Sequence, residues 1–229
     1  DIEAYPNLEV YTSFRVDKIF GYIGNYEVRL VSSDPSLENS PKGTVDLKVG
    51  IIVVATGAEV HIPELGTYGY DRERVITQWE LEGRLKSGQI GNVQDVVMIQ
   101  CVGAMTEERV YCSKICCMTA IKNALILKEK SPQARVHILY RDIQSYGSTY
   151  EATLRQAKEA GIRFVCYDPT SPPKVDQEAG TVRVYHQLLG RELTLPFDLV
   201  VLATPLVARP EAEDLSRLLK VPLDADRFF

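Results

Sequence analysis

Four of the chain's five cysteines crowd one short stretch: Cys101, Cys112, Cys116 and Cys117, while Cys166 stands alone downstream. Thiolates are soft ligands, and four of them can hold an iron–sulfur cluster or a zinc ion. The apolar run Asp95-Val-Val-Met-Ile-Gln100 predicts a buried strand. Beyond Cys112, Ile115, Met118, Ile121 and Leu125 recur at spacings of three and four and predict a helix over 113–130. Cys101 is thus expected at the carboxyl end of a strand, with the other three in the first turns of the next helix. In open α/β sheets that crevice is where cofactors bind. Cys112 and Cys116 would share a helical face, and Cys117 would be turned about a hundred degrees from Cys116. A cluster of several irons spreads its ligands and tolerates this. A compact tetrahedral zinc site fits adjacent cysteines poorly, and the usual paired Cys-x-x-Cys spacing is absent. Helix-start amides, with Lys114 and Arg109 nearby, favour the thiolate form. On the residues alone the alternatives stay open: small buried apolar side chains, a strained vicinal disulfide or Cys116–Cys117 redox pair, zinc, or an iron–sulfur cluster.

The elements around this stretch read as an α/β unit. A strand at 95–101 is followed by the cysteine loop and its helix, a strand at 135–140, a helix near 148–160 and a strand at 162–166. Earlier, Thr77 can cap a helix through Leu85, with Glu80 at the capping-box position. Short β-rich runs occupy 8–12, 14–20, 26–32 and 45–49, with Gly21 and Gly24-Asn25 as turn signals. Gly50-Ile-Ile-Val-Val-Ala-Thr-Gly57 predicts a fully buried strand ending in a tight turn. Late elements are a hairpin of 181–185 with 192–195, a buried strand at 198–203 and a short helix over 211–220 opened by Pro210. Trp79 is expected to be a packing residue and Arg141 a solvated one. His61, His137 and His186 are scattered, and no nucleophile–base pair is evident.

The composition is that of an ordinary globular chain, with a formal net charge of -5 at pH 7. No basic patch suggests nucleic acid, and no apolar run is of membrane-spanning length. Clustered cysteines without a secretory signal point to a reducing, cytoplasmic setting. The first residue is Asp, and both ends look cut from a longer polypeptide.

Gln100-Cys-Val-Gly103, then Tyr111-Cys-Ser-Lys-Ile-Cys-Cys-Met-Thr-Ala-Ile-Lys122, resembles the A-subunit of heterodisulfide reductase with its relatives, flavin and iron–sulfur electron-transfer proteins. The likeness extends through Tyr5-Pro-Asn-Leu-Glu-Val-Tyr11, Tyr140-Arg-Asp-Ile-Gln-Ser-Tyr-Gly147, Tyr150-Glu151 and Gly161-Ile-Arg-Phe164. It implies that Cys101, Cys112, Cys116 and Cys117 ligate a 4Fe–4S cluster, within a domain built like thioredoxin reductase, and that other subunits of an electron-transfer complex are its partners. Ala55-Thr56-Gly57 resembles the second flavin-contacting corner of two-domain flavoproteins, with Gly57 permitting close backbone approach. The glycine fingerprint of a dinucleotide site is missing both before that corner and after the strand at 95–101. FAD is therefore expected in the complete protein but weakly or not at all in this chain, and nicotinamide likewise. The expected architecture is a three-layer α/β, Rossmann-like domain of the nicotinamide-binding type over 93–205. It is flanked by β-rich segments of a partial FAD domain at 1–92 and a return segment at 206–229.

Overall fold

The computed structural model describes residues 5–37, 40 and 43–229. They form two compact units, one of the described residues up to 58 with 208–229 and one of 59–207.

The second unit is built on a five-stranded sheet in the order β5 (Val75–Thr77), β12 (Leu199–Leu202), β6 (Asp95–Ile99), β7 (Arg135–Tyr140) and β8 (Arg163–Cys166). Every pairing in it is parallel. The apolar runs are continuous because both faces are covered. On one face Val96, Met98, Val136, Ile138, Leu199 and Val201 pack with Leu81, Ile121, Ala124 and Leu154 from the helices α1 (Gln78–Ser87), α2 (Cys116–Lys130) and α3 (Gly147–Glu159). On the other, Val97, Ile99, Leu139, Val200 and Leu202 meet Val182, Val184, Leu195 and Phe197. Those come from a small antiparallel sheet of β9 (Lys174–Asp176), β10 (Thr181–His186) and β11 (Arg191–Pro196), and from the turn after it. The three layers are therefore helices, parallel sheet and a β layer. Burying one such aliphatic side chain is worth roughly 1.5–3 kcal/mol.

Local chemistry sets the element ends. Thr77 accepts from the Glu80 amide while Glu80 reaches back to the Thr77 amide, a complete capping box. Asp198 accepts from the Gln94 and Asp95 amides at the start of β6. Arg135 forks onto Asp95 where β6 and β7 begin side by side. The antiparallel pair β4 (Glu59–Val60) and β13 (Leu206–Val207) stands at the two chain limits of this unit.

The first unit holds an antiparallel sheet of β1 (Phe14–Tyr22), β2 (Asn25–Ser32) and β3 (Thr44–Val49), with α4 (Ala212–Leu219) from the chain end. The β1–β2 turn uses Gly21 and Gly24 at φ 93° and 94°.

Several expectations differ from what is observed. Residues 50–57 form no strand, and Ile51 is 74% and Val53 81% exposed. An apolar run is buried on both faces only with a strand on each side, and no described strand pairs with it. The run at 8–12 is likewise unpaired and exposed. The helix expected from 113 begins at Cys116, so Cys112 lies in the loop ahead of it. The break between units falls at 58/59 rather than 92/93, because β5 joins the parallel sheet beside β12 and α1 packs on its helical face.

Candidate metal centre

The four clustered cysteines come from three pieces of chain. Cys101 follows β6, Cys112 sits in the connecting loop, and Cys116 and Cys117 are the first two residues of α2. Cys101, Cys116 and Cys117 are buried and Cys112 is partly so; none is in a disulfide. The loop is pinned to the β12–β13 connection. The Val102 amide donates to the Ala203 carbonyl at 3.1 Å, the Tyr111 hydroxyl to the Leu206 carbonyl at 2.8 Å, and the Leu206 amide to Ser113 Oγ at 2.8 Å. Its tip, Thr106 to Arg109, is a turn closed by a 2.9 Å amide bond.

The loop backbone is strained. Cys101, Met105 and Lys114 have φ of 63°, 53° and 59°, a region that non-glycine residues rarely enter. Gly103, at φ 78°, has a second reason to be glycine: a Cβ there would lie 3.1 Å from the His61 ring.

The thiols act on one another. Burial pushes Cys101 up to about 11, with Cys117 and Cys112 adding to the rise and Arg141 opposing it. Cys116 is raised because its thiol is engaged with Cys117, and further by burial and by Cys112 and Cys101. Cys117 is lowered because it accepts that hydrogen bond, with the Gln144 amide as a second donor. The Lys114 amide lies 3.4 Å from Cys112 Sγ. Thiols that influence one another in this way make stacked thiolate charge unfavourable without a compensating cation. Cys166 faces elsewhere: its thiol donates to the Arg141 carbonyl at 3.6 Å and approaches Gln187.

Three further observations bear on what this region could hold. The residue before α2, Ile115, gives no side-chain cap, so the first-turn amides are not claimed by a capping group as they are in α1. The buried side-chain amide of Gln100, next to Cys101, has neither Nε2 nor Oε1 paired among the described residues, at a cost on the order of 1–3 kcal/mol. Among the described residues no three His, Cys, Asp or Glu side chains gather as they would around a single metal ion. Thiols are soft donors, so what this region could hold is a thiophilic metal centre.

Two clefts of the second unit reach different cysteines. One, of about 740 Å³, is bordered by Cys101 with Tyr68, Arg141 and Tyr167. The other, of about 190 Å³, is bordered by Cys116 with Trp79, Ile115 and Thr204. Trp79 is 66% exposed rather than a packing residue, because it lies on the outer side of α1. Arg141 is half-buried and bonded to the loop rather than solvated. Sequence pattern could not have found the Arg141 placement, since it depends on which strand ends adjoin.

Ala55, Thr56 and Gly57 are exposed, and Gly57 has φ 68°, as a tight corner requires. With Arg209, Ala212, Arg227 and Phe229 of the same unit they border a cavity of about 190 Å³. The two arginines gave no sequence signal, being far from the corner in the chain.

No protein-family model matches the chain. It is 37% identical over 202 residues to the CoB–CoM heterodisulfide reductase iron–sulfur A-subunit of Methanocaldococcus jannaschii, covering 81% of this chain and 31% of that protein. It is 34% identical over 200 residues to the A-subunit of the H2:CoB–CoM heterodisulfide, ferredoxin reductase of Methanothermobacter marburgensis, covering 80% and 30%. The chain therefore spans about a third of the length of the curated relatives it matches. Among solved structures it is similar to Lactococcus lactis thioredoxin reductase, with a TM-score of 0.50 and 18% identity, covering 93% of this chain and 58% of that one. A cadaverine monooxygenase from Erwinia amylovora, solved with FAD, gives a TM-score of 0.50 and 11% identity, covering 93% and 56%. These two likenesses concern the fold.

Proposed function

We propose, for a chain that is a relative of the heterodisulfide reductase A-subunits, that it is the electron-relay segment of a larger flavin and iron–sulfur oxidoreductase. In this reading Cys101, Cys112, Cys116 and Cys117 hold a 4Fe–4S cluster, and Cys166 does not. The observation that carries it is the placement of Cys101 just past the end of β6 and of Cys116 and Cys117 at the start of α2, with Cys112 in the loop that joins them. The cluster would supply one-electron chemistry. The chain's own residues hold the thiolates, exclude water by burying Cys116 and Cys117, and direct amides at sulfur, which are the levers that set a cluster's potential. FAD is read as a cofactor of the complete protein, with the Ala55-Thr56-Gly57 corner contributing one part of its site. Partner subunits would exchange electrons with the relay in a reducing, cytoplasmic setting. Among the described residues no helix is long and apolar enough to cross a membrane.

A second reading, a dithiol–disulfide couple, is favoured by the contact of the Cys116 thiol with Cys117. Purification without oxygen separates the two, with a zinc-held scaffold as a third outcome. Iron with equal acid-labile sulfide supports the relay. Zinc at one per chain, or titratable free thiols without iron, would overturn it.

A further inference from the structure

We propose that Arg141 is a positioning residue that holds the cysteine loop against the cluster and favours the cluster's reduced state; the second half of this rests on the iron–sulfur reading above. Arg141 follows β7, the parallel neighbour of the strand that delivers Cys101. Its Nη1 donates to the Ala104 carbonyl at 3.3 Å and reaches that of Met105 at 3.5 Å. Each bond is long, but together they hold the end of a segment of unfavourable backbone. Cys101, Gly103 and Met105 all carry positive φ within five residues. Strained segments persist only where surrounding contacts over-determine them, and here the restraint comes from a different loop.

The same connection contributes more than the guanidinium. The Cys117 thiol donates to the Asp142 carbonyl at 3.7 Å, one residue beyond Arg141. The Arg141 carbonyl accepts from Cys166 at 3.6 Å, which ties the backbone to β8. Cys166 would thus matter for the orientation of the β7–α3 connection rather than as a ligand. Arg141 and Cys101 border the same cleft, and a fixed cation beside a cluster of four thiolates stabilises the added electron. Arginine suits both tasks, because one guanidinium nitrogen, with two N–H groups fixed in the plane, serves both carbonyls while the charge is permanent; lysine keeps the charge without that fixed donor geometry.

Arg141→Gln and Arg141→Lys are compared with the unaltered chain in two forms. In the metal-free form, amide hydrogen exchange over residues 103–111 is followed. Both variants are expected to exchange about tenfold faster there, with the exchange of α2 unchanged. In the cluster-loaded form, iron content and the midpoint of an EPR-monitored redox titration are read. Arg141→Gln is expected to keep its iron yet be about tenfold harder to reduce, about 59 mV for a one-electron couple, and Arg141→Lys to recover most of that shift. Unchanged exchange in both variants overturns the clamp. A midpoint shared by Arg141→Gln and the unaltered chain overturns the electrostatic role. If the unaltered chain binds no iron, the iron–sulfur reading and the electrostatic role fall together, and the exchange measurement still decides the clamp.

Discussion

At the scale of single residues, the four site cysteines stand apart from the fifth. Cys101→Ser, Cys112→Ser, Cys116→Ser and Cys117→Ser are each expected to lower iron per chain after anaerobic reconstitution by half or more, and Cys166→Ser to leave it nearly unchanged. Iron analysis with circular dichroism, to confirm folding, checks this. Loss on Cys166→Ser with retention on Cys116→Ser would sink the assignment. Gly103→Ala should also reduce cluster loading, because the position has φ 78° and a Cβ would press on His61 at 3.1 Å. The cysteines were legible in the sequence because thiol chemistry is carried by residue type and spacing. Their surroundings were not. Arg141 reads as an ordinary surface arginine until β7 is laid beside β6, and Trp79 reads as core until the outer side of α1 is known.

At the scale of elements, each helix and strand of the second unit has a local cause that can be tested. Thr77→Ala removes half of a capping box, which should cost about 1 kcal/mol, visible as a lower denaturant midpoint. Met98→Ala, in the middle of β6 and fully buried, should cost about 2–5 kcal/mol. A central strand of this kind is needed on both faces. β7 also carries a pH dependence. His137 is 6% exposed, and burial, helped by Arg163 on the neighbouring strand, holds its pKa below the ordinary histidine value. Asp95 opposes the shift and Arg135 adds to it. The unfolded chain then binds more protons than the folded one as the pH falls below about 6.5. Stability is therefore complete above that value and declines as the pH falls through the lowered one. His61 is lowered in the same direction by burial. Denaturant midpoints at neutral and mildly acidic pH should differ, and His137→Gln should shrink the difference; an unchanged difference would mean that other groups carry it. The parallel-sheet elements were legible because their hydrophobic periods are long and their caps explicit. The run 50–57 was not legible for a physical reason: apolarity alone does not say whether another strand pairs with the run.

At the scale of the whole molecule, the chain joins a three-layer α/β unit to a smaller β-rich unit, and it matches only about a third of its relatives' length. A dinucleotide pyrophosphate needs backbone close to the first helix and room free of side chains. Here that helix opens with Cys116 and Cys117, and the preceding loop carries Glu107 and Glu108. Calorimetric titration with NADH or NADPH is accordingly expected to show no saturable binding to the cluster-loaded chain, and fluorescence titration no micromolar affinity for FAD. Tight nicotinamide binding would mean that the cysteines do not occupy the crevice. The four thiols are proposed to hold a centre that accepts a single electron, and this can be read from the centre's own spin. It is tested most directly by EPR of the anaerobically reconstituted chain after reduction with dithionite. The expected result is a low-temperature iron–sulfur signal of about one spin per chain, lost in Cys116→Ser and kept in Cys166→Ser. A reduced chain that is folded and thiol-rich but has no such signal would contradict it.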